Sequence, residues 1–158
     1  GAEGEGFKIA MRALDGGRVN IGACSVGGAQ FCVDAAMRYT ADRKQFGRAV
    51  ADFQNTQFKV ADMATQTQAA RLMVRSAASA MDEGLPNKTL DCAMAKRYAT
   101  DAAYAVANDA LQLHGGYGYL KDFPVERYVR DLRVHTLLEG TNEVMRLIIN
   151  KRLPEPPA

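Results

Sequence analysis

Apolar and small residues return every three or four positions over much of this chain, and they stop at glycine and proline. From Gln54 to about Glu83 the row is Val60, Ala64, Thr67, Ala70, Val74, Ala77 and Met81, the period of one helix face. At about 1.5 Å per residue that stretch makes a helix of roughly 45 Å. Gly84-Leu85-Pro86 ends it. A second row, Leu90, Met94, Tyr98, Ala102, Val106 and Ala110, runs from about Lys88 to His114. Gly115-Gly116 stops it, where a left-handed cap favours glycine. Upstream, Asp15-Gly16-Gly17 reads as a break before a long helix reaching about Tyr39. That helix is apolar on most faces (Val19, Ile21, Val26, Phe31, Val33, Met37), so it is expected to be central and largely buried. Gly22, Gly27 and Gly28 weaken it as a helix and predict another backbone packed close. A shorter helix opens around Pro124, a residue tolerated in a first turn, and reaches about Arg133. The last runs from about Thr141 to Arg152. Gly1 to Gly6 reads as a linker and Pro154 to Ala158 as a frayed tail. No stretch alternates with period two. The pattern predicts an all-α fold over residues 1–158: an antiparallel up-down four-helix bundle with an extra short helix.

Composition narrows this reading only slightly. The 158 residues suffice for one domain with a core. The 47% apolar and 24% charged content is ordinary, and the net charge of +2 has its cations spread among acids, unlike the clustered basic face of a nucleic-acid reader. No apolar run approaches the length of a membrane span, and no signal peptide is read. Cys24, Cys32 and Cys92 are odd in number and lack metal-ligand spacing, so three reduced core thiols are expected.

Candidate chemistry concentrates at a few places. Glu139 follows Leu137-Leu138 and precedes Gly140-Thr141-Asn142-Glu143. A carboxylate held against apolar surface has its charged form disfavoured and becomes a better base near neutral pH. Arg43-Lys44-Gln45-Phe46-Gly47 is either a clasp for phosphate, since arginine offers a planar fork of donors, or a solvated connection with Phe46 tucked into the core. Gln112 to Tyr119 is either a bare backbone that a ligand approaches closely or only a helix cap and turn. Asp15 is either an N-cap or part of an anion site with Arg18. His114 and His135 read as structural hydrogen-bonders, and the seven methionines as core filler. Arg127, Arg130 and Arg133 read as a solvated face, and Glu143 as a first-turn acid.

Five segments occur in a fixed order: Gly4-Glu5-Gly6-Phe7, Leu14 to Arg18, Arg43 to Gly47, Gln112 to Tyr119, and Leu138 to Glu143. Together they resemble the C-terminal helical domain of acyl-CoA dehydrogenases over nearly the whole chain. The Gly16-Gly17-Arg18 segment and Leu120-Lys121-Asp122 are most similar to short, branched-chain members. The resemblance implies an FAD enzyme that oxidises an acyl-CoA thioester to the 2,3-enoyl-CoA and passes electrons to electron-transfer flavoprotein. Glu139 matches the family's base. Some members carry the base instead at the position of Gly17, which has no side chain to serve.

By the same match, Arg43, Phe53, Gln54, Gln112, Leu113, His114, Gly115 and Gly116 would contact the nucleotide part of FAD across a subunit interface. Thr141, Asn142 and Glu143 would lie beside the flavin of their own subunit. Asp15, Gly16, Gly17 and Arg18 would line the acyl-CoA channel, with Lys151, or Arg152 in the next register, near CoA. The intact enzyme would be a homo-oligomer, a dimer of dimers, in the bacterial cytoplasm or the mitochondrial matrix. The family's N-terminal helical and middle β domains have no counterpart in this sequence, so the isolated domain is expected to bind FAD weakly and turn nothing over. Two alternatives stand beside this reading: an acyl-CoA oxidase domain, and a non-catalytic helical assembly domain.

Overall fold

The computed structural model describes residues 1–153, so the tail read at Pro154 to Ala158 lies outside the described residues. Five α-helices form: α1 (Gly6–Asp42), α2 (Gln54–Asp82), α3 (Lys88–His114), α4 (Val125–His135) and α5 (Asn142–Arg152). The periodic rows of α2 and α3 place their ends within one residue. The start of α1 differs from expectation. It runs without interruption through Asp15-Gly16-Gly17. Each glycine costs roughly 1 kcal/mol against alanine, and contacts on both sides of the helix outweigh that. Asp15 is no N-cap: its carboxylate accepts from Arg18 Nη1 at 2.8 Å and from Thr89 Oγ1 on α3 at 2.7 Å.

Pairwise contacts fix the topology. Asp15 meets Thr89 near the start of α3, and Tyr39 stacks on His114 at its end with ring centroids 4.3 Å apart, so α1 and α3 run parallel. α2 returns between them, with Lys59 on Asp109 and Arg71 on Gln30, each at 2.6 Å. α4 also runs back, its Tyr128 stacked on Phe31 and its Leu132 packed over Gly28. α5 continues in the same sense, from Asn142 beside Thr100 to Arg152, which shares a cleft with Lys88. Two short helices therefore fill the fourth place of the bundle end to end. The gap between them, residues 136–141, carries Glu139.

The central helix is α3, not α1: it packs against all four others. Its buried face is rich in alanine (Ala93, Ala95, Ala99, Ala103, Ala107, Ala110), which lets helices approach closely. Of the glycines of α1, Gly22 does face a second backbone, with Ala95 O of α3 4.0 Å from a built Cβ, though the nearest contacts are side chains. A Cβ on Gly22 would meet Val74 Cγ2 at 2.9 Å, one on Gly28 would meet Leu132 Cδ2 at 2.9 Å, and Gly27 faces open space. The connection after α1 is a small hairpin, Lys44–Gln45 paired antiparallel with Arg48–Ala49, the one pair of strands among the described residues. Positive φ at both Phe46 (54°) and Gly47 (82°) suits a tight hairpin turn. Phe46 stands at its tip, 92% exposed, rather than in the core. Cys32 and Cys92 are buried thiols as expected, whereas Cys24 is exposed. Met63 and Met145 fill the core, but Met11 and Met37 are exposed.

Burial pushes the Cys32 thiol from its usual 9.0 up to about 12. The folded chain therefore holds a proton that the unfolded chain releases above pH 9. Stability from this group is complete below pH 9 and drains away as pH rises toward 12. Denaturant unfolding of wild type and Cys32→Ala across that window is expected to show the wild-type advantage shrinking by about 1.4 kcal/mol per pH unit.

Candidate active site

A helix that stops in the middle of a bundle leaves its last carbonyls without partners. α4 stops at His135, and the N–H groups of Thr136, Leu137 and Leu138 fold back onto Arg133 O and Val134 O. The carbonyls of the turn itself find their donor on α3. Lys96, with no solvent exposure, donates to Thr136 O at 3.3 Å, Gly140 O at 2.9 Å and Asn142 Oδ1 at 2.8 Å. An ammonium has three donors, and all three are spent on this one turn. Because the ammonium can only donate, the Asn142 amide is oriented: its Nδ2 donates to Asp101 Oδ1 at 2.7 Å and Thr100 Oγ1 at 2.9 Å. Asn142 N also closes the turn on Thr136 O at 3.0 Å. Burial pulls Lys96 from 10.5 down to about 8, against the opposing pull of Asp101.

The turn holds Glu139 at φ 54° and Gly140 at φ 90°. The left-handed region is uncommon for a residue with a side chain, and it aims the carboxylate at α1. There it meets Gly17: a Cβ built on Gly17 would lie 2.5 Å from Glu139 Cδ and 2.8 Å from Oε1. Any side chain at position 17 would take the space the carboxylate occupies. Leu137 and Leu138 are themselves exposed, 50% and 41%. The bare backbone of α1, rather than the two leucines, is thus what the carboxylate rests on.

Arg18, the next residue, is buried and lines a cleft of about 900 Å³ between α1, α3 and α5. Asp15, Lys8, Arg12, Lys88, Lys151 and Arg152 share its walls with Phe7, Met11 and Met81. Six cations against one carboxylate, beside apolar surface, suit a long ligand with an anionic end. The cleft brings together Asp15, Arg18 and Lys151 of the expected substrate residues, and includes Arg152 as well. Gly16 lies outside it, its missing Cβ nearest to Met81 at 3.8 Å.

A second cleft, about 460 Å³, opens at the other end of the bundle between Tyr39, Arg43, Gln112, Leu113, His114, Gly115, Gly116 and Tyr117. Gly115 takes φ 59° and ψ −139°, a conformation essentially reserved for glycine. Its neighbour Gly116 has nothing within 4 Å of a built Cβ. Arg43 lies over the Tyr117 ring at 5.2 Å. His114 is buried and donates Nδ1–H to Ala110 O at 2.7 Å, and burial lowers its pKa. Bare backbone, aromatic walls and one guanidinium fit a flat group bearing phosphate. Phe53 and Gln54 stand apart from this cleft, at the start of α2. Phe53 is stacked under Arg48 at 4.0 Å.

Near the turn, Thr141 caps α5, its Oγ1 accepting from Val144 N at 3.4 Å. Glu143 is exposed in the first turn of α5, where hydrogen bonds from its own backbone N–H and from Thr141 lower its pKa. Asn142 is buried, and its side chain is committed to the Lys96 network. His135, like His114, is structural: Ser25 Oγ donates to Ile21 O, so His135 Nδ1 donates to Ser25 at 2.9 Å. Arg127, Arg130 and Arg133 are exposed as expected. Sequence reasoning missed Lys96. Its signal was present, because Lys96 stands on the buried row Cys92, Lys96, Ala99, Ala103. Among the described residues there is no cluster fit to hold a metal ion. No helix of the described residues is long and apolar enough to cross a membrane.

Comparison with known proteins agrees with this geometry. The family described as acyl-CoA dehydrogenase, C-terminal domain, matches residues 4–153. Mitochondrial isobutyryl-CoA dehydrogenase of Dictyostelium discoideum is 58% identical over 153 residues, covering 97% of this chain and 37% of that protein. The structure of butyryl-CoA dehydrogenase from Megasphaera elsdenii superposes with a TM-score of 0.93 at 45% identity, over 96% of this chain and 39% of that one. A structure described as the electron transferring flavoprotein of Acidaminococcus fermentans gives 0.95 at 47% identity, over 99% and 41%. The chain spans less than half the length of each of these relatives. With the match running from residue 4 to residue 153, the chain belongs to the acyl-CoA dehydrogenase family and corresponds to its C-terminal helical domain.

Proposed function

We propose that this chain is the base-bearing domain of an FAD-dependent acyl-CoA dehydrogenase acting on a short, branched acyl-CoA. The observation that carries the reading is the meeting of Glu139 with Gly17. A carboxylate needs a clear approach to the carbon it deprotonates. Here the turn presents Glu139 across a position emptied of side chain, next to a cationic cleft suited to the phosphates of CoA.

In this reading Glu139 removes the α-proton of the thioester, and the backbone N–H at Glu139 donates to the thioester carbonyl as negative charge builds there. Arg18, Lys151 and Arg152 bind the anionic end of CoA and hold the α-carbon against the carboxylate. A bound FAD would supply the acceptor for the β-hydrogen, leaving as hydride, so that the substrate would lose one proton and one hydride and gain a C=C bond. Arg43 and Gln112 to Gly116 would hold the nucleotide part of FAD, with Phe53 and Gln54 nearby. Thr141 and Glu143 would stand beside the flavin ring, and Asn142 would serve by fixing the turn rather than by touching the cofactor. Electrons pass on to an electron-transfer flavoprotein. The complete enzyme is a homo-oligomer, mitochondrial in a eukaryote and cytoplasmic in a bacterium. The identity to isobutyryl-CoA dehydrogenase supports the branched substrate.

Glu139→Gln in the full-length enzyme is expected to keep its flavin and lose roughly 10²–10⁴-fold in turnover, measured as acyl-CoA-dependent flavin reduction. Near-normal reduction would refute the assignment. A second expectation uses the contact itself. Glu139→Gly should be inactive, and adding Gly17→Glu should recover turnover by roughly tenfold or more, because a carboxylate carried on position 17 enters the same space. A double variant no better than Glu139→Gly would show that the two positions do not share one reaction centre.

A further inference from the structure

We propose that Lys96 is a positioning residue for the base: its buried ammonium, bound to Thr136 O, Gly140 O and Asn142 Oδ1, keeps the 136–142 turn in the one shape that lays the Glu139 carboxylate on Gly17. The proposal rests on the reading of Glu139 as the base.

The acceptors bracket Glu139 in the chain, Thr136 on one side and Gly140 and Asn142 on the other. Glu139 sits at φ 54°, and a side-chain-bearing residue stays in that region only when its surroundings over-determine it. Lys96 supplies the determination. It is fixed on α3, the helix that packs against all the others, so the turn inherits the rigidity of the bundle. Thr100 and Asp101, one turn further along α3, hold the far side of the Asn142 amide. Without the ammonium, the carbonyls of Thr136 and Gly140 would turn toward other donors, and Glu139 would leave left-handed backbone for a commoner conformation. The carboxylate would then swing off Gly17 while the cationic cleft, built on α1, α3 and α5, stayed intact.

The clamp has a pH dependence. The charged groups around the ammonium are Asp101 on its own helix, Arg18 on α1, Glu139 in the turn, Glu143 on α5 and His135 at the end of α4. Burial brings Lys96 to about 8. The neutral amine keeps two donors and turns a lone pair toward one of its three oxygen partners, so the turn loosens as pH rises through that value.

The test uses the full-length holoenzyme with isobutyryl-CoA. Lys96→Met keeps the stem and removes the donors. Expected are a roughly hundredfold fall in kcat, with KM, flavin content and enoyl-CoA product affinity within about twofold of wild type. Wild-type kcat should fall on the alkaline side near pH 8, and Lys96→Arg, whose charge does not titrate there, should lack that fall and keep kcat well above Lys96→Met. A Lys96→Met enzyme with kcat within about threefold of wild type overturns the proposal. A purely structural role, shown as proportionate loss of flavin and thermal stability with normal kcat per flavin, also overturns it. If Lys96→Met fails to fold, the pH profiles decide: a wild-type profile flat to about pH 9.5, or an alkaline fall unchanged in Lys96→Arg, is contrary. Glu139→Gln measured alongside separates the two readings. If it is inactive while Lys96→Met is normal, only the positioning claim falls. If it turns over like wild type, the base reading falls and takes the proposal with it.

Discussion

A buried ammonium must be surrounded by oxygen, and the arrangement of this domain around Glu139 follows from that requirement. Leaving Lys96 unpaired in an alanine-lined interior would cost far more than any single packing contact supplies. Its three donors therefore dictate where three acceptors must be. Two are main-chain carbonyls of the turn that follows α4, those of Thr136 and Gly140, and the third is the amide of Asn142 at the start of α5. One buried charge thus ties the turn after α4 to the first residue of α5. The downward displacement of its pKa to about 8 reflects that balance: burial, with Arg18, lowers it, and the carboxylates of Asp101, Glu143 and Glu139 oppose the fall.

The bundle contributes rigidity and a bare patch. α1, α2 and α3 are long and closely packed because small residues face one another, and the fourth position is shared by two short helices. A continuous fourth helix would have turned its side chains regularly around the axis. The interruption lets residues 136–141 leave helical geometry and send a carboxylate across to α1. Gly17 completes the arrangement from the other side, since even a methyl group there would collide with Glu139. Arg18 follows it directly, so the same turn of α1 both clears the approach to the carboxylate and forms one wall of the cationic cleft.

The sequence showed much of this, though unevenly. The periods of α2 and α3 were strong enough to place their ends, because each is bounded by glycine or proline and carries an uninterrupted apolar row. The start of α1 was misread because Asp15-Gly16-Gly17 looks like a break. What keeps it helical is tertiary: Thr89 on Asp15, and a carboxylate that needs the space at Gly17. One of the two readings of the 43–47 segment put Phe46 in the core, yet a hairpin turn with two positive φ angles puts it at an exposed tip. Glu139 stood out by its neighbours and by resemblance, but not its rest on Gly17, since contacts between distant segments are set by the packing of α3. Lys96 was passed over because a lysine within a helix is usually read as surface. Its place on the buried row of Cys92, Ala99 and Ala103 was the available clue.

The most direct measurement is a crystal structure of the full-length enzyme with FAD and a non-reacting acyl-CoA bound. The account predicts Glu139 over Gly17, with a carboxylate oxygen about 3–3.5 Å from the α-carbon, on the substrate face away from the flavin, and Lys96 still bound to the 136–142 turn. An α-carbon facing a different carboxylate, or Glu139 turned away from it with the turn reorganised, would contradict the account.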